Sequence, residues 1–174
     1  MSNIFRRMCP SGMTGLRFSE DTYTYMTLNE ILEMWEKESQ IDALNLDRAS
    51  IDSAKLHAKY LSMLSIAKLK LKKIQLDFDA LKKSKWEWFN GRMTKDQIDA
   101  LGWKYDPFGG AAKPKLKENM ALFYRTDADL SKISALIEYQ TVIIDTLVDI
   151  MDNIKWRPTN IKNVIEWRKF VSGD

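Results

Sequence analysis

Apolar residues recur at steps of three and four along most of this chain, the spacing that gathers them on one face of an α-helix. The first such run follows Thr27 and Glu30, which have the spacing of a capping box, and it consists of Leu28, Ile31, Leu32 and Trp35. It predicts an acidic helix over residues 27–40. Residues 1–26 have no such period, because proline, glycine, serine and threonine interrupt them, and we expect a flexible N-terminal extension there.

The longest predicted helix is basic and covers residues 54–91. Ser53 has the chemistry of an N-cap, Gly91 has that of a C-terminal stop, and neither proline nor glycine lies between them. One apolar stripe runs along it through Leu56, Tyr60, Met63, Ala67, Leu71, Ile74, Phe78, Leu81 and Trp88. Such a helix spans roughly 55 Å, and the stripe is typical of a coiled coil or an elongated helical bundle.

A short helix and a long loop are predicted next. Thr94 and Gln97 form a second capping box, and Gly102 provides a stop. Residues 102–125 then hold five glycine or proline residues together with several lysines. We expect a basic loop there, and a loop of this length indicates a functional or flexible segment.

The C-terminal region, residues 126–170, has the most regular pattern. Thr126 and Asp129 open it, and steps of three and four then run through Leu130, Ile133, Ile137, Gln140, Ile144, Leu147, Met151 and Ile154. This seam is widened by a flanking row, Leu136, Ile143 and Ile150. Pro158 is expected to end the helix, and Thr159 is expected to cap a last one.

These elements predict an all-α fold with one helical domain over residues 27–174, a long helical hairpin or bundle with coiled-coil-like packing. A stripe this wide can contact more than one neighbour, which leaves apolar surface for another subunit. Gln140 is the only polar residue in the seam and could fix its register or the oligomeric state. We therefore predict contacts between subunits at Ile137, Gln140, Ile144, Leu147 and Met151.

Composition argues against most classes of enzyme. The chain has one cysteine, Cys9, and one histidine, His57, so it can form neither an internal disulfide nor a zinc site built from several such ligands. No glycine-rich phosphate-binding loop precedes a predicted helix, and no compact carboxylate motif for a metal occurs. We expect a protein that is not an enzyme, with no cofactor and no metal; only an active site of scattered carboxylates remains open.

The net charge of +3 conceals an uneven distribution. Residues 55–125 hold sixteen basic and seven acidic residues, whereas residues 18–54 hold nine acidic and two basic ones. A basic middle indicates an anionic partner, and the acidic segment suggests a protein partner. No run approaches the roughly 18 apolar residues of a membrane span, and Arg6 and Arg7 are not followed by the apolar run of a signal peptide. We expect a cytoplasmic protein with no membrane partner.

The strongest functional signal lies at the end of the long helix, where two lysine clusters lead into aromatic residues. We predict a nucleic-acid site formed by Lys82, Lys83, Lys85, Trp86, Phe89 and Arg92. Cations follow the phosphates of a single strand, and aromatic rings stack its bases at about 1–3 kcal/mol per base. Trp88 continues the apolar stripe and is expected to be structural, whereas Trp86 and Phe89 could either stack a base or pack against a neighbour.

The same stretch carries a family resemblance. The segment KSKWEWFNGR, residues 83–92, resembles the most characteristic part of the UvsY family, in which two basic residues precede aromatic residues, a glycine and another base. TLNEILEMWEKESQID, KLHAKYLSML and NIKNVIEWRKF also look like segments of family members from marine phages. The resemblance covers residues 27–174. Residues 1–26 are either an extension or the product of a misplaced start, with Met26 as the first residue.

The resemblance implies a ring-like homo-oligomer that binds single-stranded DNA. It implies that the protein helps to displace the phage single-strand-binding protein and loads a RecA-like phage recombinase, in the cytoplasm of the infected bacterial host. It further implies that Lys83 and Lys85 contribute to DNA binding and that the C-terminal region supports oligomerisation, here with Ile161, Val164 and Phe170. The acidic first helix could dock the recombinase through Glu30, Glu33, Glu36 and Glu38, or these residues could form no more than a solvated helix face.

Two other functions remain open from the residues alone. A structural coiled-coil assembly protein, whose basic face only keeps it soluble, would form oligomers without DNA affinity. A basic amphipathic surface for membranes is the weaker alternative, because the apolar face that would enter a bilayer is the one needed for packing.

Overall fold

The computed structural model describes residues 26–110 and 117–173, and of residues 117–119 only the backbone is described. This part of the chain contains no strand and five helices: α1 (Leu28–Glu38), α2 (Leu46–Phe89), α3 (Lys95–Leu101), α4 (Lys117–Thr126) and α5 (Ala128–Ser172). The predicted all-α class is confirmed. None of these five helices contains an apolar stretch that could span a lipid bilayer. The extension predicted before Met26 lies outside the described residues.

α2 and α5 pack against each other as an antiparallel hairpin of two helices, 44 and 45 residues long. The register is defined by three contacts, in order along α2: Leu46 with Ile161, Ala67 with Gln140, and Lys85 with Asp127. As the residue number rises along α2, the number of its partner on α5 falls. The predicted long helical hairpin therefore forms within one chain.

α1 covers the middle of the hairpin. Its Ile31 is buried in the main core beside Tyr60, and the Trp35 ring meets the Tyr60 ring edge-on at 5.5 Å. The Tyr60 hydroxyl donates a hydrogen bond to Oε2 of Glu38 at 3.2 Å, while Lys59 pairs with the other oxygen of that carboxylate. Burial, reinforced by the negative charge of Glu38, raises the pKa of Tyr60. The end of α1 is thus held to the hairpin by both apolar and polar contacts.

Both predicted capping boxes are formed. The Thr27 hydroxyl accepts a hydrogen bond from the Glu30 amide at 3.3 Å, and the Thr27 amide donates to the Glu30 carboxylate at 2.6 Å. Thr94 and Gln97 make the same reciprocal pair at the start of α3. Two orphan amides at each helix start are satisfied in this way, so α1 and α3 begin where their sequences predict.

α2 begins at Leu46 rather than at residue 54. Ser53 is not its N-cap, because this residue is buried inside the helix and its hydroxyl donates to the Ala49 carbonyl at 2.9 Å. Such a bond to the preceding turn satisfies a serine within a helix. Leu46 and Ala49 are buried against Ile161 of α5, so a contact distant in sequence stabilises the first turns.

Two predictions about the second half of the chain were also wrong. Residues 102–125 are not one loop, since α4 occupies Lys117–Thr126. The N-cap of α5 is Asp127 rather than Thr126, which is the last residue of α4. The Asp127 carboxylate accepts hydrogen bonds from the amides two and three residues later, both at 3.0 Å. Aspartate is among the best N-cap residues, and its charge also favours the start of a helix.

Pro158 does not end a helix, because α5 continues through it to Ser172. A proline inside a helix removes one backbone hydrogen bond and costs about 3 kcal/mol or more. Burial on the face toward α1 and α2 offsets this cost, since Ile154, Arg157 and Ile161 are all buried. The separate last helix that Thr159 was predicted to cap is therefore the end of α5.

Most of the residues predicted to contact another subunit lie in the interior of one chain. These buried residues are Gln140, Ile144, Leu147, Met151 and Ile161. The side-chain amide of Gln140 donates to the Ala67 carbonyl at 3.2 Å, so this polar residue is paired across the hairpin of one chain. Ile137 is half-buried, whereas Val164 and Phe170 are exposed.

Arg157 ties α5 to the end of α1. Its guanidinium donates to the carbonyls of Glu38, Ser39 and Gln40 at 3.3, 2.7 and 2.9 Å. The last carbonyls of a helix have no partner within the helix, and a charged donor satisfies them well. Arg157 therefore holds both the end of α1 and the connection that follows it.

Replacing Arg157 by methionine keeps the apolar stem of the side chain and removes its three hydrogen bonds. We expect the free energy of unfolding to fall by about 3 kcal/mol, because three partly buried carbonyls lose their charged donor. Arg48→Met, at an exposed position of α2, is the matched control and should change stability by less than about 0.5 kcal/mol. Urea denaturation followed by circular dichroism measures both variants, and equal losses would contradict the role of Arg157.

Candidate nucleic-acid interface

α2 ends in a turn at Gly91. The Gly91 φ angle is +66°, a conformation that glycine adopts without strain because it has no Cβ. The Gly91 amide donates to the Trp88 carbonyl at 3.0 Å, and the Arg92 amide donates to the Glu87 carbonyl at 2.9 Å. This turn folds Arg92 back against the last turn of α2.

Trp86 and Arg92 form a stacked pair on the surface. The guanidinium carbon of Arg92 lies 4.5 Å from the centre of the Trp86 ring, and Trp86 is 41% exposed. A cation over an aromatic face is attracted by the quadrupole of the ring. The pair therefore places an accessible ring, suited to stacking a base, beside a positive charge suited to a phosphate.

Lys82 and Lys83 lie one turn before Trp86 and are both exposed. The Lys82 ammonium lies 5.9 Å from the centre of the Phe78 ring. Positions three and four apart on a helix are neighbours, so both lysines stand beside Trp86. We call Lys82, Lys83, Trp86 and Arg92 the basic–aromatic patch.

An open groove of about 560 Å³ borders this patch where α2, α4 and α5 diverge. Lys82 and Arg125 are its basic residues, Phe78 and Leu130 contribute apolar walls, and Glu138 is the acidic residue in its lining. Arg125 is exposed and had been placed only in a loop by the sequence. The groove extends the positive surface from α2 toward α4.

Lys85 does not belong to the exposed site that was predicted for it. It is 3% exposed, and its ammonium lies 2.9 Å from Oδ2 of Asp127 and 2.8 Å from Oδ2 of Asp129. The same ammonium lies 4.9 Å from the Trp88 ring centre and 4.2 Å from that of Trp103. Lys85 is therefore a buried cation held by two carboxylates and two aromatic rings, unlike the exposed Lys82 and Lys83 with which it was grouped from the sequence.

Phe89 is likewise not available to stack a base. It is 4% exposed and lies at the centre of an aromatic cluster with Trp88, Phe108, Phe123 and Tyr124. The ring centroids lie between 5.1 and 6.0 Å from that of Phe89, the range in which aromatic pairs attract each other. Of the two alternatives left open by the sequence, the structure places Phe89 in packing.

The segment after α3 completes this cluster. The Trp88 indole donates to the Lys104 carbonyl at 2.9 Å, and the ring lies 5.1 Å from that of Trp103. Asp106 accepts hydrogen bonds from the amides of Phe108 and Gly110, and these bonds lower the pKa of its carboxyl. The last turn of α2 is thus covered by residues from beyond α3.

The cations and the aromatic ring of the basic–aromatic patch are groups that can bind a nucleic-acid strand. Within residues 26–110 and 117–173, no three His, Cys, Asp or Glu side chains lie close enough together to hold a metal ion.

The family can be assigned by comparison with known proteins. A model of the family described as the recombination, repair and ssDNA-binding protein UvsY matches residues 34–174. The chain belongs to the UvsY family. The matched segment contains the whole basic–aromatic patch together with α2 and α5.

Proteins similar to this chain include a recombination protein of phage T4, for which crystal structures exist. The recombination protein UvsY of Enterobacteria phage T4 is 23% identical over 148 residues, which cover 85% of this chain and 99% of the phage protein. Two crystal structures of the T4 recombination mediator protein UvsY match with TM-scores of 0.71 and 0.68, at 22% and 21% identity. They cover 85% and 83% of this chain and 99% and 98% of theirs. At this identity the structural match shows that the chain has the UvsY fold.

The burial of Lys85 in this UvsY fold had a signal in the sequence. Leu81, Lys85 and Trp88 follow one another at steps of four and three, so Lys85 occupies a position of the apolar stripe. Two acids, Asp127 and Asp129, stand at the start of the seam, where acids favour a helix N-terminus. Their pairing with Lys85 could not be derived from local pattern, because it needs the hairpin.

Truncation of Phe89 should lower the free energy of unfolding far more than truncation of Trp86, if only Trp86 is free to bind a ligand. Phe89→Ala should lower the free energy of unfolding by about 3–5 kcal/mol, because it leaves a cavity in the aromatic cluster. Trp86→Ala should lower it by about 1 kcal/mol or less, since much of that ring is exposed. Urea unfolding followed by circular dichroism gives both values, and the reverse order would show that the two assignments are exchanged.

Proposed function

We propose that this UvsY family member binds single-stranded DNA through the basic–aromatic patch and acts as a recombination mediator. In that role it helps to displace the phage single-strand-binding protein and loads a RecA-like phage recombinase onto the strand, in the cytoplasm of the infected host. The observation that carries the proposal is the exposed Trp86–Arg92 pair with Lys82 and Lys83 beside it. Cations and an exposed ring are what a groove without sequence preference requires.

One protomer presents only a few phosphate contacts, so we propose that binding depends on self-association. A ring-like homo-oligomer would repeat the patch around one strand, and each further contact would form at a high effective concentration. Repeated weak contacts also allow the strand to be released in steps, as a loading function requires.

The proposed surface for self-association is the exposed apolar end of α5. Beyond Ile161 its described side chains are exposed, and Trp167 and Phe170 stack at 5.9 Å while 66% and 76% exposed. Val164 and Val171 add to this apolar surface. Concentrated apolar exposure of this kind is typical of protein interaction sites.

We propose the outer face of α1 as the docking site for the recombinase. Glu30, Glu33 and Glu36 are exposed there, whereas Glu38 is engaged by Lys59 and Tyr60 within the chain. Glu30 also completes the capping box of α1. Glu33 and Glu36 are therefore the acids most available to a basic partner.

The DNA site can be tested with Lys82→Ala/Lys83→Ala in a fluorescence anisotropy titration of a labelled single-stranded oligonucleotide across a salt series. Loss of two phosphate contacts should reduce the slope of log affinity against log salt by about 1.4 per protomer. Lys55→Ala/Lys155→Ala is the matched control, because it removes the same charge from exposed positions of α2 and α5 that lie outside both the basic–aromatic patch and the apolar end of α5, and it should leave the slope unchanged.

Equal slopes for wild type and both double variants would remove the patch from the binding site. No binding by the wild-type oligomer, even at low salt, would favour the alternative of a structural assembly protein without DNA affinity. The exposed apolar end of α5 is the observation that supports that alternative.

Self-association can be tested with Val164→Asp/Phe170→Asp. Charged side chains at this surface should lower the mass found by sedimentation velocity and should weaken binding to long oligonucleotides far more than to short ones, because only long strands reach several patches. Val142→Asp, at an exposed position in the middle of α5, is the control. An unchanged mass, or equal loss on long and short strands, would argue against this surface.

A further inference from the structure

Lys85 joins three separate parts of the chain. It lies on α2, contacts Trp103 from the segment after α3, and pairs with Asp127 and Asp129 at the start of α5. Its own helix contributes the Trp88 ring.

One ammonium and two carboxylates lie together around Lys85. Asp127 uses one carboxylate oxygen to cap α5 and the other to bind Lys85, and its side chain is 9% exposed. Asp129 is 29% exposed. Removing the ammonium would leave two carboxylates facing each other with little solvent to screen them, whereas removing the carboxylates would leave a buried ammonium without a partner.

This arrangement prevents Lys85 from serving as a phosphate contact. A phosphate that approached the ammonium would have to displace two carboxylates that already lie within 3 Å of it. It would also meet the negative charges of both acids. The exposed Lys83, two residues earlier, has no such obstacle.

Lys85 also adjoins the residues of the basic–aromatic patch. Trp86 follows it directly, and the Gly91 turn that brings Arg92 over Trp86 closes the same last turns of α2. These turns are fixed against α5 and the segment after α3 mainly on the side of Lys85 and Phe89. If that attachment loosens, the Trp86–Arg92 pair loses its support.

We infer that Lys85 is a positioning residue, which sets the affinity for single-stranded DNA by fixing the basic–aromatic patch against α5 and never touches the strand. The inference rests on the proposed function. By the same inference, Asp127 and Asp129 help to position the patch, although both carry a negative charge that the DNA backbone repels.

A double-mutant cycle tests this with four proteins: wild type, Lys85→Met, Asp127→Asn/Asp129→Asn and the combination of all three changes. Asparagine retains the N-cap at position 127. Affinity for a labelled single-stranded oligonucleotide is measured by anisotropy across a salt series, at a temperature where circular dichroism shows each protein folded. This condition separates a displaced patch from an unfolded protein.

We expect Lys85→Met to weaken binding by about tenfold or more without changing the salt slope. Changing both acids to amides in the Lys85→Met protein should restore most of the lost affinity. A direct phosphate contact predicts the opposite. The loss would then be the same in both backgrounds, and the slope would fall by about 0.7. Either result, or an affinity that Lys85→Met leaves unchanged, would overturn the inference.

Lys83→Met is the matched control, because it makes the same chemical change at an exposed neighbouring position. It should lower the salt slope and show no coupling to Asp127 and Asp129. If Lys85→Met does not fold, the triple variant decides: wild-type slope with recovered affinity supports the inference, and a reduced slope with lost affinity overturns it. Failure of the proposed function is distinct, because wild type itself would then not bind.

Discussion

The packing of α2 against α5 is the interaction to which the rest of the described structure is attached. α1 lies across its middle, the Lys85 cluster closes one end, and the contact of Leu46 with Ile161 closes the other. Two long helices that bury one face each against the other must leave their remaining faces exposed. Two of the three surfaces with a proposed function, the basic–aromatic patch at the end of α2 and the apolar end of α5, lie at the ends of these two helices, where their side chains stay exposed.

Helical phase explains why residues of one type take opposite roles near the end of α2. Each residue turns the helix by about 100°, so two positions correspond to roughly 200° and face nearly opposite directions. Lys83 is exposed and Lys85 is buried for this reason, while Lys85 and Phe89, four apart, share the inner side. Which lysines are exposed therefore depends on their angular positions around the helix axis more than on the number of lysines in the segment.

The sequence predicted elements whose cause is local. Capping boxes predicted α1 and α3, and the apolar stripes predicted the hairpin, because helix ends and faces are defined by neighbours three and four residues away. It did not predict the start of α2, the passage of α5 through Pro158 or the burial of Lys85. Each of these depends on a partner brought close only by the completed hairpin: Ile161, the end of α1, and Asp127 with Asp129. At the candidate site, the local pattern did not separate the exposed residues, Lys82, Lys83, Trp86 and Arg92, from the buried Lys85 and Phe89.

The length of the hairpin has a mechanical consequence. Lys83 lies roughly 55 Å along α2 from Leu46, which is the end where α5 presents its exposed apolar residues. In an assembly joined at that end, each hairpin is a lever with the basic–aromatic patch at its tip. A tilt of about 10° at the joint would carry the tip by about 10 Å, so small changes in subunit contacts would open or narrow the space that a strand occupies.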